Sequence, residues 1–196
     1  SIANEKGAEV AQARTAARKA SEMNGGDGTQ AKLAQNTDVL KIIKMIVDRN
    51  YDPVIVFAFN KGECESFANA LHKVDLCDEN EKEMIDAIYW NAMDALSESD
   101  KKLPQVASMQ NLLRRGLGVH HSGLLPILKE VIEILFQEGL IKVLFATETM
   151  SVGLNMPART CVFASPRKFD GTGFRWITSG EYTQMSGRAG RRGKDD

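Results

Sequence analysis

Cysteine is scarce, with three residues in 196 and no CxxC pair, which excludes a disulfide framework and a cysteine-based zinc site. Cys64, Cys77 and Cys161 are therefore expected as reduced thiols, and no metal-ligand set is expected. Long apolar runs are missing as well: nothing approaches the roughly 18 consecutive residues that cross a membrane. The first residues also hold no apolar segment of the signal-peptide kind, so an intracellular setting and no membrane partner are expected. The net charge of -1 denies the chain a globally positive field. Any nucleic-acid contact must then come from local basic clusters and backbone amides. A phosphate-cradling loop of the G-x-x-x-x-G-K-[ST] type is absent too. The stretch from Gly187 to Gly193-Lys194 has one residue too many and ends in Asp195, and Gly171-Thr172-Gly173 lacks the third glycine of a dinucleotide loop. The chain thus has nothing to hold magnesium and cradle a triphosphate unaided.

What is present supports one sizeable core, with 43% hydrophobic and 26% charged residues. Residues 1 to 36 pass from an alanine-rich stretch into Asn24-Gly25-Gly26-Asp27-Gly28 and read as a linker or mobile segment. Thr37 or Asp38 would cap a short helix with Leu40, Ile43 and Val47 on one face. Pro53 introduces Val54 to Phe59, a continuous apolar run expected as a strand covered on both faces. Cys64, Phe67, Ala68 and Leu71 follow at helical spacing, completing half a βαβ unit. From about 75 to 115 the pattern is helical only, with Ile85, Ile88, Ala92 and Leu96 on one helix and Val106, Met109 and Leu113 on another, and reads as a helical insertion. Alternation resumes with strands at Leu117 to His120, Ile141 to Ala146 and Thr160 to Ala164, and a helix from Leu124 to Gln137. The fold class is therefore α/β, a mostly parallel sheet with helices on both faces. Its ligands are expected beyond the carboxyl ends of the strands, in loops 59 to 62, 120 to 123, 147 to 155 and 165 to 178.

The chemistry in those loops is sparse. Thr147-Glu148-Thr149 leads a segment whose hydroxyls and amides suit one phosphate, or else simple N-capping. Glu148 has no second carboxylate fixed near it by spacing. Adjacent residues on a strand point to opposite faces, so His120 and His121 cannot chelate one metal. A packed His120 is expected, with His121 and the Gly123 amide turned towards a ligand, and Arg114-Arg115 reads as a solvated helix end.

The richest stretch runs from Gln184 to Gly193. Read as a helix opened by Thr178, with Glu181 completing a capping box, it places Gln184, Arg188 and Arg191 at i, i+4 and i+7. Two guanidiniums on a face cleared by Gly187 and Gly190 suit a polyphosphate; the alternative is a solvated basic tail.

Val54 to Lys61, Gly118 to Pro126, Phe145 to Ala158 and Gln184 to Gly193 resemble, in order and spacing, motifs IV, IVa, V and VI of the second RecA-like domain of superfamily 2 helicases. The Gln-x-x-Gly-Arg-x-Gly-Arg form, with Gly153-x-Asn155-x-Pro157-Ala158 before it, is similar to the DExH-box superkiller-like branch. Arg167 to Gly171, Phe174 to Ile177 and Ser179 to Tyr182 look like the nuclear RNA-exosome helicases of TRAMP complexes. The resemblance covers about residues 37 to 196, taken as one helicase C-terminal domain excised from a longer chain. It implies an ATP-driven 3′-to-5′ RNA helicase, nuclear, that feeds RNA to the exosome through TRAMP-type adaptors. ATP and Mg2+ would be held mainly by the first RecA-like domain of the parent chain. Arg188 and Arg191 would be arginine fingers, positioned by Gln184, with Gly153, Asn155 and Gly187 bordering the nucleotide. Thr147 would hold an RNA phosphate, helped by Glu148 or Thr149, and Phe59, Asn60, Lys61, His121 and Gly123 would line the rest of the RNA track. Asn60, Ser122 and Met150 depart from the usual serine, small residue and phenylalanine. The cytoplasmic superkiller helicase, a DNA-repair relative and a non-catalytic RNA-binding module are the alternatives.

Overall fold

The computed structural model describes residues 27 to 148 and 157 to 190, with side chains from residue 37 onward. The chain divides into two compact units, Ser1–Val39 and Leu40–Asp196. Helix α1 spans Asp27–Asp48, so Thr37 and Asp38 lie inside it and not at its start. In the second unit Ile43 and Ile46 are buried while Leu40 and Val47 are half-buried, a face turned slightly from the one expected.

Strand β1 (Val54–Ala58) is buried at every residue, as a central strand covered on both faces must be. Helix α2 (Lys61–Ala70) follows at once, its first turn closed by the Asn60 side chain accepting from the Glu63 amide at 2.8 Å. Three helices come next: α3 (Glu79–Met93), α4 (Glu98–Lys101) and α5 (Pro104–Leu113). A capping box between Asp78 and Glu81 starts α3, and Pro104 begins α5, where its missing N–H costs nothing. The buried face of α3 is Ile85, Tyr89 and Met93. Ile88 and Ala92, expected there, are only half-buried, because the Tyr89 hydroxyl reaches the Val106 carbonyl of α5 at 2.6 Å and sets the helix rotation. Arg114 and Arg115 are not a solvated end. The first pairs with Asp86 and the second donates to the Leu71 carbonyl at 2.8 Å.

Strand β2 (Leu117–His120), helix α6 (Pro126–Gln137) and strands β3 (Val143–Thr147) and β4 (Thr160–Phe163) complete the alternation. Leu128, Val131, Ile132 and Leu135 of α6 are buried, as their spacing predicts. The four strands form one parallel sheet in the order β2-β3-β1-β4. Phe67 of α2 stacks on Phe145 of β3 with ring centroids 5.8 Å apart, and Phe57 of β1 lies 5.9 Å from Phe163 of β4.

The stretch 165 to 178 is not a plain loop. It folds into an antiparallel hairpin of β5 (Arg167–Phe169) and β6 (Phe174–Trp176). Asp170 ties the turn by accepting from the Thr172 amide, the Thr172 hydroxyl and the Gly173 amide at 2.8 to 3.0 Å, which lowers its pKa to about 2. Helix α7 (Ser179–Ser186) then returns along β4 in the opposite direction. Tyr182 stacks on Phe163 at 5.3 Å, the Met185 carbonyl lies 3.7 Å from the Cys161 sulfur, and beyond the helix Ala189 bridges Ala158. The expected capping box is present, but α7 stops at Ser186.

Candidate functional site

The candidate residues fall at opposite ends of the sheet. At the carboxyl end, Ala58 pairs with Thr147 and His120 with Ala146, so the segments that follow β1, β2 and β3 emerge side by side. Phe59, Asn60 and Lys61 leave β1 there. The Asn60 side chain is spent on the helix cap, and the Phe59 amide donates to Glu63 at 3.4 Å. Lys61 is exposed, and a side chain at Gly123 would lie 3.5 Å from its stem. The β2 loop therefore approaches the lysine closely, with Ser122 and Gly123 as its exposed tip.

His121 does not line this surface. It is 2% exposed: its Nδ1 accepts the Gly123 amide at 3.0 Å and its Nε2 lies 3.2 Å from Glu65. An amide must donate, so the neutral ring carries its proton on Nε2 and gives it to the carboxylate. His121 and the Gly123 amide, expected to face a ligand, are spent on each other and shape the loop. Gln105 of α5 grips the same loop, donating to the Gly123 carbonyl at 3.2 Å and accepting the Leu125 amide at 3.1 Å. A cavity of about 350 Å³ opens beside this grip, with Glu65, Gln105 and His121 in its wall. His120 packs as expected, with Nε2 2.8 Å from Glu133 and a buried Nδ1 that has no partner among the described residues. Burial holds its pKa below the usual value, against the Glu133 hydrogen bond that raises it.

Thr147 is half-buried at the end of β3. Glu148 beside it meets a lysine from the hairpin: Lys168 Nζ donates to both carboxylate oxygens at 2.6 Å. The same ammonium stands 2.9 Å from Glu181, whose oxygens also take two guanidinium nitrogens of Arg175 at 2.8 Å. Glu181 is held well below the usual carboxylate range, first by Arg175, then by the Thr178 amide and Lys168. Glu148 thus does have a second carboxylate close by, joined to it through Lys168. Spacing along the chain cannot reveal this, because the hairpin brings the lysine back from twenty residues on. The same holds for the grip of Gln105.

At the amino end of the sheet, Arg159 and Thr160 donate to the Pro53 carbonyl, which places Ala158 level with the start of β1. The Ala158 amide donates to the Arg188 carbonyl and the Gly190 amide to the Ala158 carbonyl, both at 2.8 Å. Arg188 is therefore fixed in the turn that follows α7, its amide donating to the Met185 carbonyl at 3.2 Å, and not within the helix that carries Gln184. Gln184 is exposed, Arg188 half-buried, and Gly187 exposed at the helix end. The clearance expected at Gly187 is taken by its own helix, since a Cβ there would lie 2.9 Å from the Thr183 carbonyl. Thr149, Gly153, Asn155 and Arg191 lie outside the described residues.

The three thiols are free, and burial raises Cys64 to about 12 and Cys77 and Cys161 to about 11. Such thiols are poor nucleophiles at neutral pH.

Residues 89–193 match the family of the helicase conserved C-terminal domain. The chain is 64% identical over 160 residues to the ATP-dependent RNA helicase mtr4 of Schizosaccharomyces pombe, an alignment covering 82% of this chain and 14% of that protein. It is 57% identical over 181 residues to the exosome RNA helicase MTR4 of Homo sapiens, covering 91% and 17%. Superkiller complex protein 2 of Mus musculus is 54% identical over 156 residues, covering 80% and 12%. The chain thus spans at most 17% of the length of these relatives.

Proposed function

Since this chain belongs to the helicase conserved C-terminal domain family, as a second RecA-like domain of the Mtr4-like type, we propose that it is one lobe of an ATP-dependent RNA motor. In this reading the two ends of its sheet have different work. The carboxyl end carries RNA, through the exposed Lys61 ammonium, the Thr147 hydroxyl and the Ser122-Gly123 tip, with Phe59, Asn60, Thr149 and the paired His121 supporting the track. The other end meets the nucleotide, with Arg188 and Arg191 as arginine fingers, Gln184 beside them, and Gly153, Asn155 and Gly187 at the cleft.

The observation that carries this reading is the backbone lock between Ala158 and residues 188 to 190. It joins the end of the Thr147-to-Ala158 segment to the arginine segment. A guanidinium on a fixed backbone suits a phosphate whose charge grows in the transition state, because little reorganisation is then needed. ATP with Mg2+ would bind mainly on the first RecA-like domain, and this lobe would add positive charge at its edge. One such finger is worth about 10³ to 10⁵ in turnover, roughly 4 to 7 kcal/mol.

The likeness to exosome helicases supports a nuclear motor that moves 3′ to 5′ and hands RNA to the exosome through TRAMP-type adaptors. Likeness to the superkiller complex protein supports a second reading, the same motor in the cytoplasm. The test is strand displacement by the complete helicase on RNA duplexes with a 3′ or a 5′ single-stranded tail. ATP-dependent unwinding of the 3′-tailed duplex alone is expected. Equal unwinding of both, or none, would remove the reading, as would ATP turnover by this lobe on its own.

A further inference from the structure

Helix α6 begins without a side-chain cap of its own. Leu125 holds the position before Pro126, its side chain can accept nothing, and its amide must find an acceptor elsewhere. Gln105, in the first turn of α5, supplies one. Its Oε1 accepts the Leu125 amide at 3.1 Å, and its Nε2 donates to the Gly123 carbonyl at 3.2 Å. A single side-chain amide thus spans the loop between β2 and α6. Among the described residues, these two are the hydrogen bonds that reach Gly123 to Leu125 from outside the loop and α6. The Gly123 and Leu124 amides turn back on His121, and His121 ties only the base of the loop, to Glu65 of α2 at 3.2 Å.

Packing does little for the tip. Ser122 and Gly123 are exposed, and the cavity of about 350 Å³ runs along the grip, bordered by Gln105, His121 and Leu124. The grip itself has a firm base. Val106, next to Gln105, is buried, and its carbonyl accepts the Tyr89 hydroxyl of α3 at 2.6 Å. Further along α5, Gln110 donates to Asp86 of α3 at 3.1 Å. The helical insertion is therefore a fixed frame from which Gln105 reaches the loop. The loop in turn runs close to Lys61, since a Cβ on Gly123 would lie 3.5 Å from the lysine stem.

We propose that Gln105 is a positioning residue for RNA: it holds the Ser122-Gly123 tip beside Lys61, so that tip and ammonium meet the same stretch of RNA backbone. The insertion then contributes to RNA binding without touching RNA. This inference rests on the reading that Lys61 and the tip belong to the RNA track. A loop set in place beforehand has less freedom to lose when RNA binds, so the benefit falls on affinity. Loss of the grip should raise the apparent KM for RNA and leave turnover at saturating RNA as in the wild type.

The experiment uses the complete helicase with Gln105→Met, Lys61→Ala and the two combined. Methionine keeps the length of the side chain and removes both hydrogen bonds. Fluorescence anisotropy with a single-stranded RNA oligonucleotide is measured beside RNA-stimulated ATP turnover and amide hydrogen exchange. Gln105→Met should weaken RNA binding and raise KM by about fivefold, the factor that one net hydrogen bond is worth. Its exchange should quicken in residues 121 to 126 and not across the rest of the lobe. The double variant should lose less affinity than the product of the two single losses, because lysine and tip act on one stretch of backbone. Wild-type affinity in Gln105→Met, unchanged exchange at the loop, or faster exchange throughout the lobe overturns the proposal. So do losses that simply multiply, as they would for a glutamine that only stabilises the fold or that touches RNA elsewhere. Lys61→Ala with unchanged RNA affinity strikes the underlying track reading. A clear Lys61 effect beside an unaffected Gln105→Met strikes this inference alone.

Discussion

Ala158 and Ala189 face each other as a parallel bridge at the amino end of the sheet, closed by amide-to-carbonyl bonds of 2.8 Å to Arg188 and from Gly190. Four residues of chain beyond α7 are thereby held to the entrance of β4, and the position of the Arg188 backbone is set by main-chain bonds.

Gly190 permits this lock because its φ is +91°, in a region that L side chains rarely adopt. A Cβ there would meet nothing within 4 Å among the described residues, so the cost of Gly190→Ala is argued from conformation. Urea denaturation should show a loss of about 1 to 2 kcal/mol. In the complete helicase the same change should lower ATP turnover more than RNA affinity.

Asn60 and Lys61 are neighbours with separable roles. Asn60→Ala removes the side-chain cap of α2 and should cost about 1 kcal/mol of stability, read from the urea midpoint. Lys61→Ala should leave stability within about 0.5 kcal/mol. In the complete helicase it should weaken RNA and flatten the dependence of log K on log salt by about 0.7, one phosphate contact on a single strand.

His120 gives the lobe an acid sensitivity. Its folded pKa is lowered by burial, with Lys129 and His121 acting in the same direction and Glu133 against. The unfolded chain, with a pKa of about 6.5, therefore takes up the proton first. Stability from the neutral ring is fully present above about pH 6.5 and is lost as pH falls through the lower folded value. His120→Gln keeps a donor for Glu133 and does not titrate. Its urea midpoint should fall less than that of the wild type between about pH 7 and pH 5.

The fold was readable from the chain because its strands are short apolar runs bounded by turns and its helices carry clear stripes. Val54 to Ala58 and the buried face of α6 stand where their patterns place them. Where two rotations of a helix bury similar groups, the pattern misleads. Ile88 and Ala92 gave way to Tyr89 and Met93 once a hydroxyl bond across to α5 counted. The hairpin leaves no pattern in the sequence because strands of three residues have no measurable alternation. The site was readable as a set of segments but not as geometry. Gln184 and Arg188 fit helical spacing, yet the bridge to Ala158 ends the helix first. Strand alternation alone leaves His121 facing outward, and only the Gly123 amide and Glu65 turn it in. Lys168, Glu181 and Gln105 act across the fold and carry no local signal.

The most direct measurement is RNA-stimulated ATP turnover by the complete helicase carrying Arg188→Ala, with RNA affinity determined on the same preparation. Turnover lower by about 10³ to 10⁵, with RNA affinity essentially kept, is the expected result for a finger fixed at the nucleotide. Turnover close to that of the wild type would contradict it.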